Sequence, residues 1–79
     1  MKYPWVTLRN GAFTSAYGPP SVRARRLDGP GEAEGTHGGF ATDTGGLRFW
    51  PSGIEFPARG CWLVTGRLRG TVVRFVLEL

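Results

Sequence analysis

From Thr71 to Leu79 the chain alternates between two sets of side chains: Val73, Phe75, Leu77 and Leu79 are uniformly apolar, whereas Val72, Arg74, Val76 and Glu78 are mixed. That period of two predicts a β-strand with one face in a core, because a helix would need its apolar residues every third or fourth position. The β-branched Val72, Val73 and Val76 also favour the pleated conformation. Upstream, Cys61 to Leu68 sends Trp62, Val64 and Leu68 one way and Cys61, Leu63, Thr65 and Arg67 the other. Trp62 and Val64 are assigned inward, since the opposite set ends in polar residues. Gly66-Arg67-Leu68-Arg69-Gly70 joins the two runs, and a glycine at each end is expected to supply the positive φ of a bulged hairpin loop.

The rest of the chain reads as shorter strands. Asn10-Gly11 is a two-residue turn signal that predicts a hairpin between Trp5–Arg9 and Ala12–Tyr17. After Gly18-Pro19-Pro20, a strand from Ser21 to Leu27 sets Val22 and Ala24 against Arg23 and Arg25, and Asp28-Gly29-Pro30-Gly31 turns it. Glu32 to Gly46, rich in glycine and poor in apolar residues, is expected to be mostly an irregular loop with one short strand near His37–Thr42. Leu47-Arg48-Phe49-Trp50 is the next strand, closed by Pro51-Ser52-Gly53. A short strand on Ile54 and Phe56 follows and ends at Pro57, which lacks the N–H a ladder needs. About seven strands at roughly ten-residue spacing is the rhythm of a small sandwich or barrel. The predicted core is Trp62, Phe75, Val64, Val73, Leu77, Phe49, Leu47, Phe56 and Ile54.

The string Phe56-Pro57-Ala58-Arg59-Gly60-Cys61-Trp62, continuing through Val64-Thr65-Gly66 to Phe75-Val76, resembles the C-terminal half of uncharacterised bacterial cell-envelope proteins, often lipoproteins. Their pattern is Phe-Pro-x-x-Gly-Cys-Trp-x-Val-Thr-Gly with a closing Phe-Val strand. Arg25-Arg26-Leu27-Asp28-Gly29-Pro30 is similar to an internal strand end and turn in them, so the likeness runs from about Val22 to Leu79. The resemblance implies an immunoglobulin-like β-sandwich of about seven antiparallel strands, outside the cytoplasm and without an enzymatic role. The alternative on the residues alone is a small β-barrel. Unlike those proteins, the chain has no export signal and a short first segment.

Seventy-nine residues form one domain at most, 1–79, and one of this size buries only a modest core. Cys61 is the only cysteine, so no internal disulfide is available, and one Cys with one His cannot make a four-ligand zinc site. Dimerisation or attachment to a larger assembly would supply the missing stability. Thirteen glycines and six prolines suit an all-β domain with many turns. No stretch approaches the roughly 18 apolar residues of a membrane span.

Chemistry has little to draw on, and no cofactor is expected. Nucleophilic catalysis would need His37 beside Cys61, Ser15, Ser21 or Ser52, and nothing in the spacing brings it to Cys61. The carboxylates fall in loops or on solvent faces, and Asp43 alone is too little for a calcium site. The Gly-Gly pairs at 38–39 and 45–46 lack the Lys-Ser/Thr of a phosphate loop. Ten Lys+Arg against six Asp+Glu give a net charge of +4, and Arg23, Arg25, Arg26, Arg67 and Arg69 are the candidate contacts for a nucleic acid or another polyanion. The rings, however, fall where the core is needed. The favoured expectation is a non-catalytic module acting through protein contacts, with a protein partner or a homodimer meeting an apolar patch of Leu63, Val72 and Val76. Nucleic-acid binding is the alternative.

Overall fold

The computed structural model describes residues 1–79, and every regular element in it is a strand. In chain order these are β1 (Lys2–Trp5), β2 (Leu8–Arg9), β3 (Ala12–Phe13), β4 (Ser21–Arg26), β5 (Glu32–His37), β6 (Ala41–Thr42), β7 (Arg48–Ile54), β8 (Cys61–Leu68) and β9 (Thr71–Glu78). Seven of them form one antiparallel sheet in the order β1-β7-β5-β4-β8-β9, with β6 also alongside β7, while β2 and β3 form a separate hairpin. The chain is thus a small all-β domain, and its sheet curls into a half-barrel.

The curl brings the two ends of the sheet face to face. Tyr3 and Trp5 of β1 lie 5.8 and 6.0 Å, centroid to centroid, from Phe75 of β9. Inside are Val22 and Ala24 of β4, Ile54 of β7, and Trp62 and Val64 of β8, ringed by Tyr3, Trp5, Ala33, Phe56, Phe75 and Leu77. Trp62 is wholly buried, with Phe56 packed against it at 5.2 Å and its indole N–H donated to the Ala58 carbonyl at 3.1 Å. The bend before β8 depends on Gly60, whose φ of +133° suits glycine, and Asp28 Oδ1 accepts a hydrogen bond from the Cys61 amide beside it.

Several expectations are corrected. Glu32–His37 is a six-residue strand, not a loop: Glu32 and Glu34 point out while Ala33 and Gly35 point in, and Gly35 lies so close to Val22 that an added Cβ would come within 2.8 Å of the Val22 Cβ. Small inward residues are what that approach requires. β7 runs straight through Pro51-Ser52-Gly53 to Ile54, so Ile54 ends that strand and there is no separate Ile54–Phe56 strand. Both prolines fit because of hydrogen-bond parity. Met1 and Ile54 exchange bonds in both directions, so the β1–β7 ladder uses Tyr3 and Trp5, and Pro4 and Pro51 sit opposite each other where that ladder asks for no donor; Pro4 turns its nitrogen to the open edge, and Pro51 faces the end of β5, where its carbonyl accepts from the Gly38 amide.

The first hairpin turns at Asn10 (φ 51°) and Gly11 (φ 79°), as expected, but pairs only Leu8–Arg9 with Ala12–Phe13. It is pinned from below, where Trp50 donates its indole N–H to Thr7 Oγ1 at 3.2 Å and Thr7 in turn donates to the Thr14 carbonyl. At the last hairpin β8 continues to Leu68 and pairs it with Thr71, leaving a two-residue turn. The positive φ there belongs to Arg69 (54°), and Gly66 lies within the strand. Val73, expected in the core, is 49% exposed because it lies toward the uncovered end of the edge strand β9, and Leu47 and Phe49 are only half-buried.

Candidate interaction face

The outward side chains of β5, β4, β8 and β9 fall into rows fixed by the strand register. One row runs Glu32, Arg25, Leu63, Val76; the next runs Glu34, Arg23, Thr65, Arg74; Ser21, Arg67 and Val72 form a third, and Cys61 pairs with Glu78 at the near end. Leu63 and Val76 are therefore direct cross-strand partners, and Val76 is 58% exposed. Val72 lies two positions along the same face from Arg74, opposite Arg67. The expected apolar set of Leu63, Val72 and Val76 is on one surface, with Leu63–Val76 as its contiguous part. A shallow depression of about 540 Å³ runs beside it, floored by Ala24 and Ala33 and walled by Arg23, Arg25, Arg67, Glu32 and Glu34.

The arginines divide. Arg23, Arg25 and Arg67 share this face, and Arg74 joins them. Arg26 alternates to the other side, where its Nε lies 3.2 Å from Asp28 Oδ1 at the bend before β8. Arg69 is at the hairpin tip with its guanidinium 4.7 Å from the Tyr17 ring centroid, a cation–π contact. On the face itself carboxylates alternate with the cations: Glu34 stands opposite Arg23 at 3.4 Å and Glu32 opposite Arg25. That alternation of sign leaves little unbalanced field on the face. No aromatic side chain lies in these rows.

The chemical candidates are dispersed. Cys61 opens β8 opposite Glu78, whereas His37 ends β5 opposite Ser52; the two lie at opposite ends of the sheet, on strands that are not neighbours. Asp43 spends Oδ1 on the amides of Gly45 and Leu47, both at 2.9 Å, and so shapes its own turn. No three His, Cys, Asp or Glu side chains stand close enough to share a metal ion. The largest surface depression, about 600 Å³ over the outside of β1 and β7, is lined by Lys2, Pro4, Pro51, Phe49 and His37 among others. Tyr3 is the one group whose acidity is clearly displaced: burial pushes its phenol up to about 12. No helix is present that could cross a membrane.

No family model, curated protein or solved structure matches the chain.

Sequence alternation was enough to assign each residue to a face, including Arg74, which falls with Val72, Val76 and Glu78. It gave no register between β4, β8 and β9, and without register Arg74 could not be seen to sit beside Thr65 and Arg23.

Proposed function

We propose that the domain is a non-catalytic binding module that acts through protein contacts made by the outer face of β4, β8 and β9. The observation that carries this reading is the Leu63–Val76 pair, an apolar centre half-buried at Leu63 and exposed at Val76, bordered by rows of Arg and Glu. A centre of that kind with a charged rim is how protein interfaces are built. The polyanion alternative has less support, because Glu32 and Glu34 stand opposite two of the face's arginines and no ring is available to stack a base. The resemblance of the Phe56–Trp62 string to bacterial envelope proteins extends the proposal to an immunoglobulin-like domain working outside the cytoplasm.

The test is a photo-crosslinking amino acid at position 63, compared with one at Thr42 on β6. Adducts to a discrete protein from position 63 alone, lost in an Arg25→Glu background, are expected. Equal labelling from both positions, or none, ends the reading. Salt-sensitive retention of a single-stranded oligonucleotide, lost when Arg23, Arg25 and Arg67 become Ala, would replace it with the polyanion alternative.

A further inference from the structure

The two edges of the curled sheet are not alike. At the β1 edge the backbone groups left over from the ladder with β7 belong to Lys2 and Pro4, and Pro4 has no N–H to offer. Proline there blocks further strand pairing. At the other edge β9 runs eight residues, Thr71–Glu78, with no proline, and no strand lies beyond it. Leu79 exchanges backbone hydrogen bonds with Gly60 on the β8 side, so by alternation Val72, Arg74, Val76 and Glu78 aim their N–H and C=O groups outward. All four residues are exposed.

That row is complementary to itself. Set antiparallel to a second copy about a two-fold axis through Val76, it places Val76 against Val76 and Arg74 against Glu78 twice, every pair being one that exchanges backbone hydrogen bonds. On the other face the same register sets Phe75 against Leu77 and Val73 against Leu79. Val73 and Leu79 are 49% and 39% exposed in the single chain and would be covered. Moving the axis to Phe75 sets Arg74 against Val76 and Val72 against Glu78, and moving it to Arg74 sets two guanidinium groups face to face. Only the Val76 axis pairs opposite charges directly.

We propose that this protein dimerises through the free edge of β9, antiparallel and two-fold symmetric, with Val76 on the axis and Arg74 opposite Glu78 of the second copy. This rests on the reading that the domain works through protein contacts and adds a second copy of the chain as the partner at the edge beside that face. The dimer carries the row Arg25, Leu63, Val76 across the axis into its mirror sequence, doubling the apolar centre of the face. Because the contact is isologous and the β1 edge is blocked by Pro4, assembly stops at two.

Sedimentation equilibrium from micromolar to millimolar concentration tests it, with far-UV circular dichroism as the check on folding. Wild type should show a reversible monomer–dimer equilibrium. Arg74→Glu or Glu78→Arg should each weaken it roughly tenfold or more, because two attractive pairs become repulsive, and the double exchange Arg74→Glu/Glu78→Arg should restore it to within about threefold. Val76→Pro should abolish it while the chain stays folded, since the Val76 N–H is not used by the β8–β9 ladder. A wild type that stays monomeric at millimolar concentration overturns the proposal, as does a dimer indifferent to Glu78→Arg and Val76→Pro, or a double exchange that does not recover. A monomer that keeps its position-63 adducts refutes the edge pairing alone; a dimer without such adducts refutes the outer-face partner alone.

Discussion

The contact that closes the curl is the indole of Trp5 lying on the backbone of Gly66, and replacing that glycine by alanine tests it through the sign of the effect. Gly66 is buried inside β8 with no positive φ, so on backbone grounds alanine is the better strand residue there, by about 0.5–1 kcal/mol. Packing opposes this. An alanine Cβ would fall 2.6 Å from Trp5 Cζ3 and closer still to Cη2, and the ring cannot swing freely because Tyr3 and Phe75 flank it at 6.0 Å each. Overpacking of this sort costs about 1–3 kcal/mol, which outweighs the backbone gain. Gly66→Ala should therefore destabilise by about 1–2 kcal/mol, a sizeable part of the roughly 4–12 kcal/mol expected for a chain of this length. Gly39→Ala, where an added Cβ meets nothing within 4 Å and no positive φ is needed, should be neutral or mildly stabilising. Urea unfolding followed by circular dichroism measures both, and Trp5→Leu combined with Gly66→Ala should lose less than the two single changes summed. If Gly66→Ala raises the urea midpoint, Trp5 does not lie there and the sheet does not close as described.

Further substitutions probe the other joints. Trp62→Phe keeps a ring in the core but gives up the N–H bond to the Ala58 carbonyl and part of the buried surface; it should cost about 1–3 kcal/mol in the same unfolding experiment. Gly60→Ala combines a φ of +133° with a Cβ only 2.6 Å from Asp28 Oδ1, and its urea midpoint should fall further than that of Gly66→Ala. Tyr3 holds its proton in the folded protein up to about pH 12, while the unfolded chain releases it near the ordinary phenol value of 10.0, so folded protein binds more protons in that window and stability should fall as pH rises from about 10 to about 12. Tyr3→Phe should flatten that slope, and at neutral pH it should be neutral or stabilising because the phenol has no hydrogen-bond partner.

Legibility in the sequence followed the size of the inward side chains. Val22 and Ala24 alternate with arginines, and Trp62, Val64, Phe75 and Leu77 alternate with mixed sets that end in polar residues, so the strands carrying them are readable in place. β5 was not, because its inward residues are Ala33 and Gly35; they are small since Val22 comes too close for anything larger, and a small residue leaves no hydrophobic signature. The sequence cuts β7 short for a related reason. Pro51 reads as a stop, yet the ladder with β1 does not use its nitrogen, which faces Gly38 just past the end of β5, and parity of that kind exists only once the partner strands are known. The interaction face divides in the same way: Leu63, Val72, Val76, Arg23, Arg25 and Arg67 were assignable from alternation, while the departure of Arg26 to the Asp28 pair and of Arg69 to the Tyr17 ring depended on the bend and the hairpin tip.

The unequal edges bear on why so small a core suffices. The fully buried side chains are Trp62, Ile54 and Val64, all on interior strands, and the edges contribute rings and aliphatic groups that remain half exposed. β1 compensates by turning Tyr3 and Trp5 inward and by anchoring its end through the Met1 ammonium on the Ile54 carbonyl at 2.8 Å. β9 turns Phe75 and Leu77 inward in the same way, yet its Val72, Val73, Val76 and Leu79 all keep more than a third of their surface in water. A partner that binds only the folded form shifts the equilibrium toward it by mass action, and covering Val73, Val76 and Leu79 would add apolar burial where the single chain has least. The same strand that limits the stability of the isolated domain is thus the one through which association would raise it, which ties the stability of this fold to its binding.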